Sequence, residues 1–264
     1  MLAVIRCENQ QNGIAGIFSR QKYYLDSVNE GEIKFMILTV KGGKRINWGQ
    51  AAHILGENGK NVLLEQGLSF PEESGLRLAD GTPYKRRMLY RAVEKLLRQS
   101  ASLKRKIAVL LADENMEFIN EAELVLHYGG SLTIASDREE YCHALPKQSV
   151  TTVPFSELKE LSDYTLILAP VLTQRFADRM NETARTAVLT ADMGRNITIE
   201  GMVMTDFYSP LPEYYAAFLP AGIDQSEFAA ALYTFCGAKS LGELVPNQCA
   251  IYLNGNKVAA RADF

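Results

Sequence analysis

Four aspartates stand where short apolar runs end or are about to end: Asp113 after Ile107–Ala112, Asp137 after Ser131–Ser136, Asp192 after Ala187–Ala191, and Asp206 within Met202–Phe207. If those runs are strands of one parallel sheet, the four carboxylates share its carboxyl-end rim. Carboxylate oxygens suit hard divalent cations, polyamines and ligands rich in hydroxyls. Glu114 adds a fifth acid beside Asp113. The plainer role is also open, because Asp ends strands and caps the helix that follows, as Asp113 and Asp137 would. Tyr208 lies in Thr205–Pro212, the segment densest in functional groups. It reads either as part of a site or as a connection made rigid by Pro210 and Pro212. The candidate ligand-binding residues are therefore Asp113, Glu114, Asp137, Asp192, Asp206 and Tyr208.

Other chemistry is sparse. His53, His127 and His143 each sit in or beside a predicted helix, with no HExxH pair among them. Cys142 and His143 are adjacent in sequence, and neighbours on a helix point about 100° apart, so adjacency does not make a nucleophile and base. The cysteines Cys7, Cys142, Cys236 and Cys249 show no CxxC spacing, which reads as reduced structural thiols. No metal or cofactor is named by these residues.

The elements that would position the rim are legible from periodicity. From residue 107 onward, apolar runs of strand length alternate with helical spacing: 107–112, 131–135, 150–153, 164–169, 187–191 and 202–207 as strands, 116–128, 139–145 and 173–183 as helices. Such alternation calls for a parallel sheet with helices on both faces. Residues 212–218 and 225–235 add helix, and Asn254-Gly255 marks a hairpin turn between 250–253 and 257–260. Before residue 100 the pattern is mixed. Strands are expected at 1–6, 14–19, 34–40 and 61–64, with a short helix after Asn47 that ends at Gly56. A longer amphipathic helix is expected over 84–100. Its polar side, continued through Lys104, Arg105 and Lys106, carries nine Lys or Arg against one acid, Glu94.

The order of elements over about 105–210, with Asp137 after the second strand, resembles a Rossmann-like dinucleotide-binding domain. That resemblance implies a ligand crevice beyond the strands' carboxyl ends and a ribose contact for Asp137. The glycine fingerprint is absent. Where G-x-G-x-x-G would bring amides to a pyrophosphate, this chain reads Ala112-Asp113-Glu114-Asn115-Met116-Glu117, with no glycine and three acids. Leu110–Asn115 followed by Ala135-Ser136-Asp137 also resembles the opening of a response-regulator receiver domain. The phosphoacceptor Asp of that family has no counterpart, since the later runs end in Val153-Pro154 and Ala169-Pro170. Asp206 to Pro210 is loosely similar to an Asp-x-x-Tyr-x-Pro stretch of shikimate-dehydrogenase-like oxidoreductases, whose Lys/Asp pair the first half lacks.

The totals set the bounds. The chain has 264 residues, 47% hydrophobic and 22% charged, with net charge -3, which is a folded composition and long enough for two cores. No apolar run approaches the ~18–20 residues a spanning helix needs, and Met1–Cys7 lacks a basic leader, so a cytoplasmic location is the default expectation. The predicted architecture is α/β: a mixed α+β domain over 1–103, then a Rossmann-like, mostly parallel sheet with helices on both faces over 104–264. The expected role is non-catalytic or regulatory, with a small-molecule or protein-partner site at the strand-end crevice and between the halves; the partner is another protein or a second copy of the chain, and nucleic acid and membrane are not expected. The competing expectation is a divergent NAD(P)-dependent oxidoreductase. A third is an anion-binding module built on Arg86, Arg87 and Arg91.

Overall fold

The computed structural model describes all residues except 9–20, 43–45, 103–106, 117, 119–121, 129–130, 139, 141–149, 159–160, 184–186, 195–196 and 198. The expected strand at 14–19, the helix at 139–145 with Cys142 and His143, and the basic run 104–106 lie outside the described residues. In chain order the strands are β1 (Leu2–Glu8), β2 (Lys22–Glu30), β3 (Ile33–Lys41), β4 (Val62–Leu64), β5 (Ala108–Ala112), β6 (Ser131–Ala135), β7 (Val150–Val153), β8 (Leu166–Leu168), β9 (Val188–Leu189), β10 (Met202–Tyr208), β11 (Gln248–Leu253) and β12 (Asn256–Asp263). The helices are α1 (Trp48–Leu55), α2 (Thr82–Ser102), α3 (Ala122–His127), α4 (Gln174–Thr183), α5 (Glu213–Ala216) and α6 (Gln225–Phe235).

The chain groups into two compact units, Met1–Tyr84 with Pro210–Glu243, and Lys85–Ser209 with Leu244–Phe264. This differs from a single division near residue 103. The reason is the apolar character of α6: its Phe228 meets Phe35 of β3 edge to face at 5.6 Å. Tyr215 adds a hydroxyl that donates to Glu32. Residues 210–243 thus bury their hydrophobic side on the first sheet.

In the first unit the order is β2-β3-β1-β4, with β1 parallel to β3 and β4, and β2 antiparallel to β3. Asn47 caps α1 by accepting from the Gln50 amide at 3.0 Å, and Gly56 closes it. Ala51 and Leu55 of α1 then pack with Ala3, Ile5, Leu38 and Val40. Sequence periodicity missed β2. Its residues are almost all exposed, so no burial imposed an apolar alternation on them.

The second unit is a mostly parallel eight-stranded sheet flanked by helices, in the order β12-β11-β10-β9-β8-β5-β6-β7. Strands β5 to β10 are all parallel. The chain steps outward from β5 through β6 to β7, returns to the other side of β5 as β8, and continues outward to β10. This is the doubly wound Rossmann order. β11 and β12 extend it antiparallel, joined at Asn254 and Gly255, whose φ angles of 49° and 74° fit the tight turn. Leu110, Ile167, Phe155, Phe176, Val188 and Val203 belong to its core.

Candidate functional site

The reversal of strand order lies between β5 and β8, and in sheets of this order the ligand crevice lies beyond the carboxyl ends of such strands. The loop after β5 closes on itself there. Asp113 is only 2% exposed; its amide donates to the Ala135 carbonyl at 3.2 Å, and its Oδ2 accepts from the Phe118 amide at 2.9 Å. Met116 takes a left-handed φ of 58°, a conformation that usually falls to glycine. In a dinucleotide loop, free amides at the helix start face the pyrophosphate. Here a buried carboxylate already holds one of them, and its charge opposes a phosphate. The loop residues do not fit a dinucleotide.

A charged cluster bridges the strand ends. Asp137, just past β6, accepts from the Phe155 amide at 2.9 Å through Oδ1 and from Arg175 at 2.6 Å through Oδ2. The Arg175 hydrogen bond, seconded by the Phe155 amide, holds the Asp137 carboxyl below its ordinary range. Arg175 belongs to the first turn of α4, where a cation opposes the helix dipole and is favoured only with an acid nearby. Its guanidinium lies 5.1 Å from the centre of the Phe155 ring and 3.9 Å from Glu114 Oε1. That Glu114 oxygen is buried without a hydrogen-bond partner. The Glu114 carbonyl accepts from Arg138 Nε at 3.3 Å, which joins the β5 and β6 loops. Sequence reasoning found Glu114 and Asp137 and missed Arg138 and Arg175. The available signal was an arginine in the first turn of the helix after the fourth parallel strand, which asks for a carboxylate partner.

The other candidates are placed differently. Asp192 follows β9, but its Oδ1 accepts from the Gly194 amide at 2.9 Å and its carbonyl from the Leu172 amide at 2.8 Å, so it shapes its own turn. Asp206 lies within β10, two residues before its end. Its φ is 48° where the pairing of β10 with β11 shifts between Thr205 and Tyr208, and this bulge turns it toward Lys85, 3.9 Å away. Tyr208 is buried, its carbonyl accepts from the Asn247 amide at 3.0 Å, and Arg261 lies 4.5 Å over its ring. Among the described residues no three of His, Cys, Asp and Glu are grouped to hold a metal.

Several cations of α2 have partners within their unit. Arg91 and Arg98 both donate to Glu94, and Lys95 donates to the carbonyls of Pro246 and Phe264. Burial alone would raise the Glu94 carboxyl, but the Arg91 hydrogen bond and the charges of Arg98 and Arg91 hold it below its usual range. His53 and His127 are exposed. Cys7, Cys236 and Cys249 are free thiols, all raised in pKa by burial, Cys249 to about 11. No helix among the described residues is long and apolar enough to cross a membrane.

No protein-family model and no curated protein sequence matches the chain. Among solved structures, it is similar to L-tryptophan dehydrogenase from Nostoc punctiforme at 9% identity and a TM-score of 0.41, covering 79% of this chain and 65% of that one. It is also similar to WbdD, a bifunctional kinase-methyltransferase, at 15% identity and a TM-score of 0.26, covering 69% of this chain and 40% of that one. The chain thus spans less than two thirds of either. Likenesses this slight carry no argument, and the fold rests on the strand order itself.

Proposed function

We propose that this chain is a non-catalytic, regulatory binding protein that takes a small polar molecule at the rim formed by Glu114, Asp137, Arg138 and Arg175. The observation that carries the reading is that the protein's own groups occupy both positions a dinucleotide would use. Asp113 holds the Phe118 amide, and Arg175 holds the acid after β6. The rim nevertheless mixes signs across the switch point, where ligands of this fold bind. A small zwitterion matches it: a carboxylate or phosphate meets Arg175 and Arg138, and an ammonium or hydroxyl donor meets the Glu114 oxygen, which pairs with Arg175 at 3.9 Å but accepts no hydrogen bond.

A thermal-shift series tests this reading with NAD, NADP, ATP, S-adenosylmethionine, Mg²⁺, Mn²⁺ and a panel of amino-acid zwitterions. A ligand present at about 100 times its Kd contributes roughly 2.7 kcal/mol, a readable rise in Tm. The expected result is a rise with a zwitterion that disappears in Arg175→Ala, and none with the nucleotides. Saturable binding of NAD(P)H with hydride transfer would replace the proposal with the divergent oxidoreductase.

A further inference from the structure

Sheet edges expose unpaired backbone groups, and proteins ordinarily blunt them with short strands, bulges or proline. Three of the four edges here are managed in this way. β4 has three residues and is flanked by the bridge of Val62 to Leu78, β7 has four residues, and β12 is broken by register shifts against β11. β2 is neither short, bulged nor interrupted by proline, and the exposed charges it carries, Lys22, Asp26 and Glu30, are of mixed sign, so they bar an edge of unlike pattern but not a complementary one. It runs nine residues in unbroken register with β3, contains no proline or glycine, and among the described residues pairs on one side only. Its centre also exposes apolar surface, with Tyr24 at 45% and Leu25 at 44%.

The charges along β2 determine which strand suits that edge. Lys22, Tyr24 and Asp26 alternate onto one face, and both charged residues are exposed. In an antiparallel pair of two copies centred on Tyr24, each Lys22 faces Asp26 of the other copy, Tyr23 faces Leu25, and the two Tyr24 rings meet on the axis. Opposite charges and aromatic pairs at facing positions stabilise antiparallel strands. A pair centred on Asp26 would match each Lys22 with Glu30 but set the two Asp26 carboxylates against each other, and one centred on Leu25 would leave Lys22 and Asp26 both unmatched. We infer that β2 is a self-association edge: two copies of this chain join antiparallel through residues 21–27, about a two-fold axis at Tyr24. The interface is isologous, as two-fold symmetry requires. It is independent of the ligand rim, because β2 belongs to the other unit.

The test is sedimentation of the full chain from about 5 to 500 µM, a range that spans the weak affinities expected of a small interface. The wild type is expected to pass from monomer to dimer as concentration rises. Lys22→Asp and Asp26→Lys each set like charges face to face at two symmetric positions and should weaken the dimer about tenfold or more. The double swap restores opposite pairing and should recover it. A second measurement uses Tyr24→Cys, which should crosslink to its copy on mild oxidation because facing Cα atoms lie about 4.5–5.5 Å apart, within disulfide reach. Ser27→Cys should not crosslink, since it faces Gln21 and lies about 20 Å from its own copy. A wild type monomeric throughout overturns the inference. So does a dimer indifferent to either single swap, weakened by them but not rescued by the double, or without the Tyr24→Cys crosslink.

Discussion

Asp113→Ala removes the group on which the loop after β5 depends, and its cost can be worked from two features. The hydrogen bond from the Phe118 amide to Oδ2 is 2.9 Å long and buried, and Phe118 itself is 2% exposed. A hydrogen bond to a charged group contributes about 1.5–3 kcal/mol net, and an amide left buried without a partner costs about 1–3 kcal/mol. The two figures describe the same loss from opposite sides and do not add, so about 2–3 kcal/mol is expected for the alanine variant. A domain of about 150–250 residues moves roughly 2–4 °C in Tm for each kcal/mol, which puts the fall at about 4–12 °C. Asp113→Asn keeps an acceptor in place and removes only the charge assistance. It should cost about 1 kcal/mol, at most half the alanine value. Urea unfolding followed by circular dichroism reads both. An alanine variant within about 0.5 kcal/mol of the wild type, inside the range of ordinary surface changes, refutes the argument that this carboxylate closes the loop. An asparagine variant as damaging as alanine shows that charge, and not the hydrogen bond, is what matters there.

Three more outcomes are expected. Gly222 has a φ of +79°, and a Cβ there would sit 2.7 Å from Glu65 Cγ, whose carboxylate accepts from the Cys7 amide. Gly222→Ala should therefore cost at least about 1 kcal/mol in urea unfolding, since strain and clash act together. Glu94 is lower in pKa folded than its unfolded value of about 4.3. Its contribution is complete above that value and is lost as pH falls through the folded pKa, so stability should drop on acidification below about pH 4 and the drop should be shallower in Glu94→Gln. The Cys249 thiol, 1% exposed and pushed up to about 11 by burial, should resist an aromatic disulfide reagent at pH 8 and react once the chain is unfolded in urea.

Legibility in the sequence followed burial. β5 and β6 are short, mostly buried apolar runs, β7 is a half-exposed β-branched run, and the expected positions of all three match the structure within a residue. β2 is exposed on both faces and carried no such signal. The bulge at Asp206 was invisible for a related reason: alternation locates a strand but not a local shift of its register, and a shift of one residue exchanges the faces. The placement of α6 was also hidden, because an apolar helix records that it packs and not which sheet receives it. Contacts such as that of Phe228 with Phe35, and of the Cys236 thiol with the Lys34 carbonyl, assign it to the first unit.

The rim was half legible for a reason that concerns charge more than fold. Acids past strand ends are visible one at a time, whereas Arg175 gains its meaning only from a strand order that brings α4 beside Asp137, 38 residues earlier in the chain. Topology alone makes the crevice, since any doubly wound sheet splays its loops apart where the strand order reverses. Side chains decide what enters it. With glycine after β5 the amides would face outward to an anion. With Asp113 one of them, the Phe118 amide, is turned to the protein's own carboxylate, while Arg175 is held by Asp137 and Arg138 donates to the Glu114 carbonyl. The ligand proposed for this rim would have to compete with the Arg175–Asp137 ion pair, which favours one bearing both signs of charge over one bearing phosphate alone.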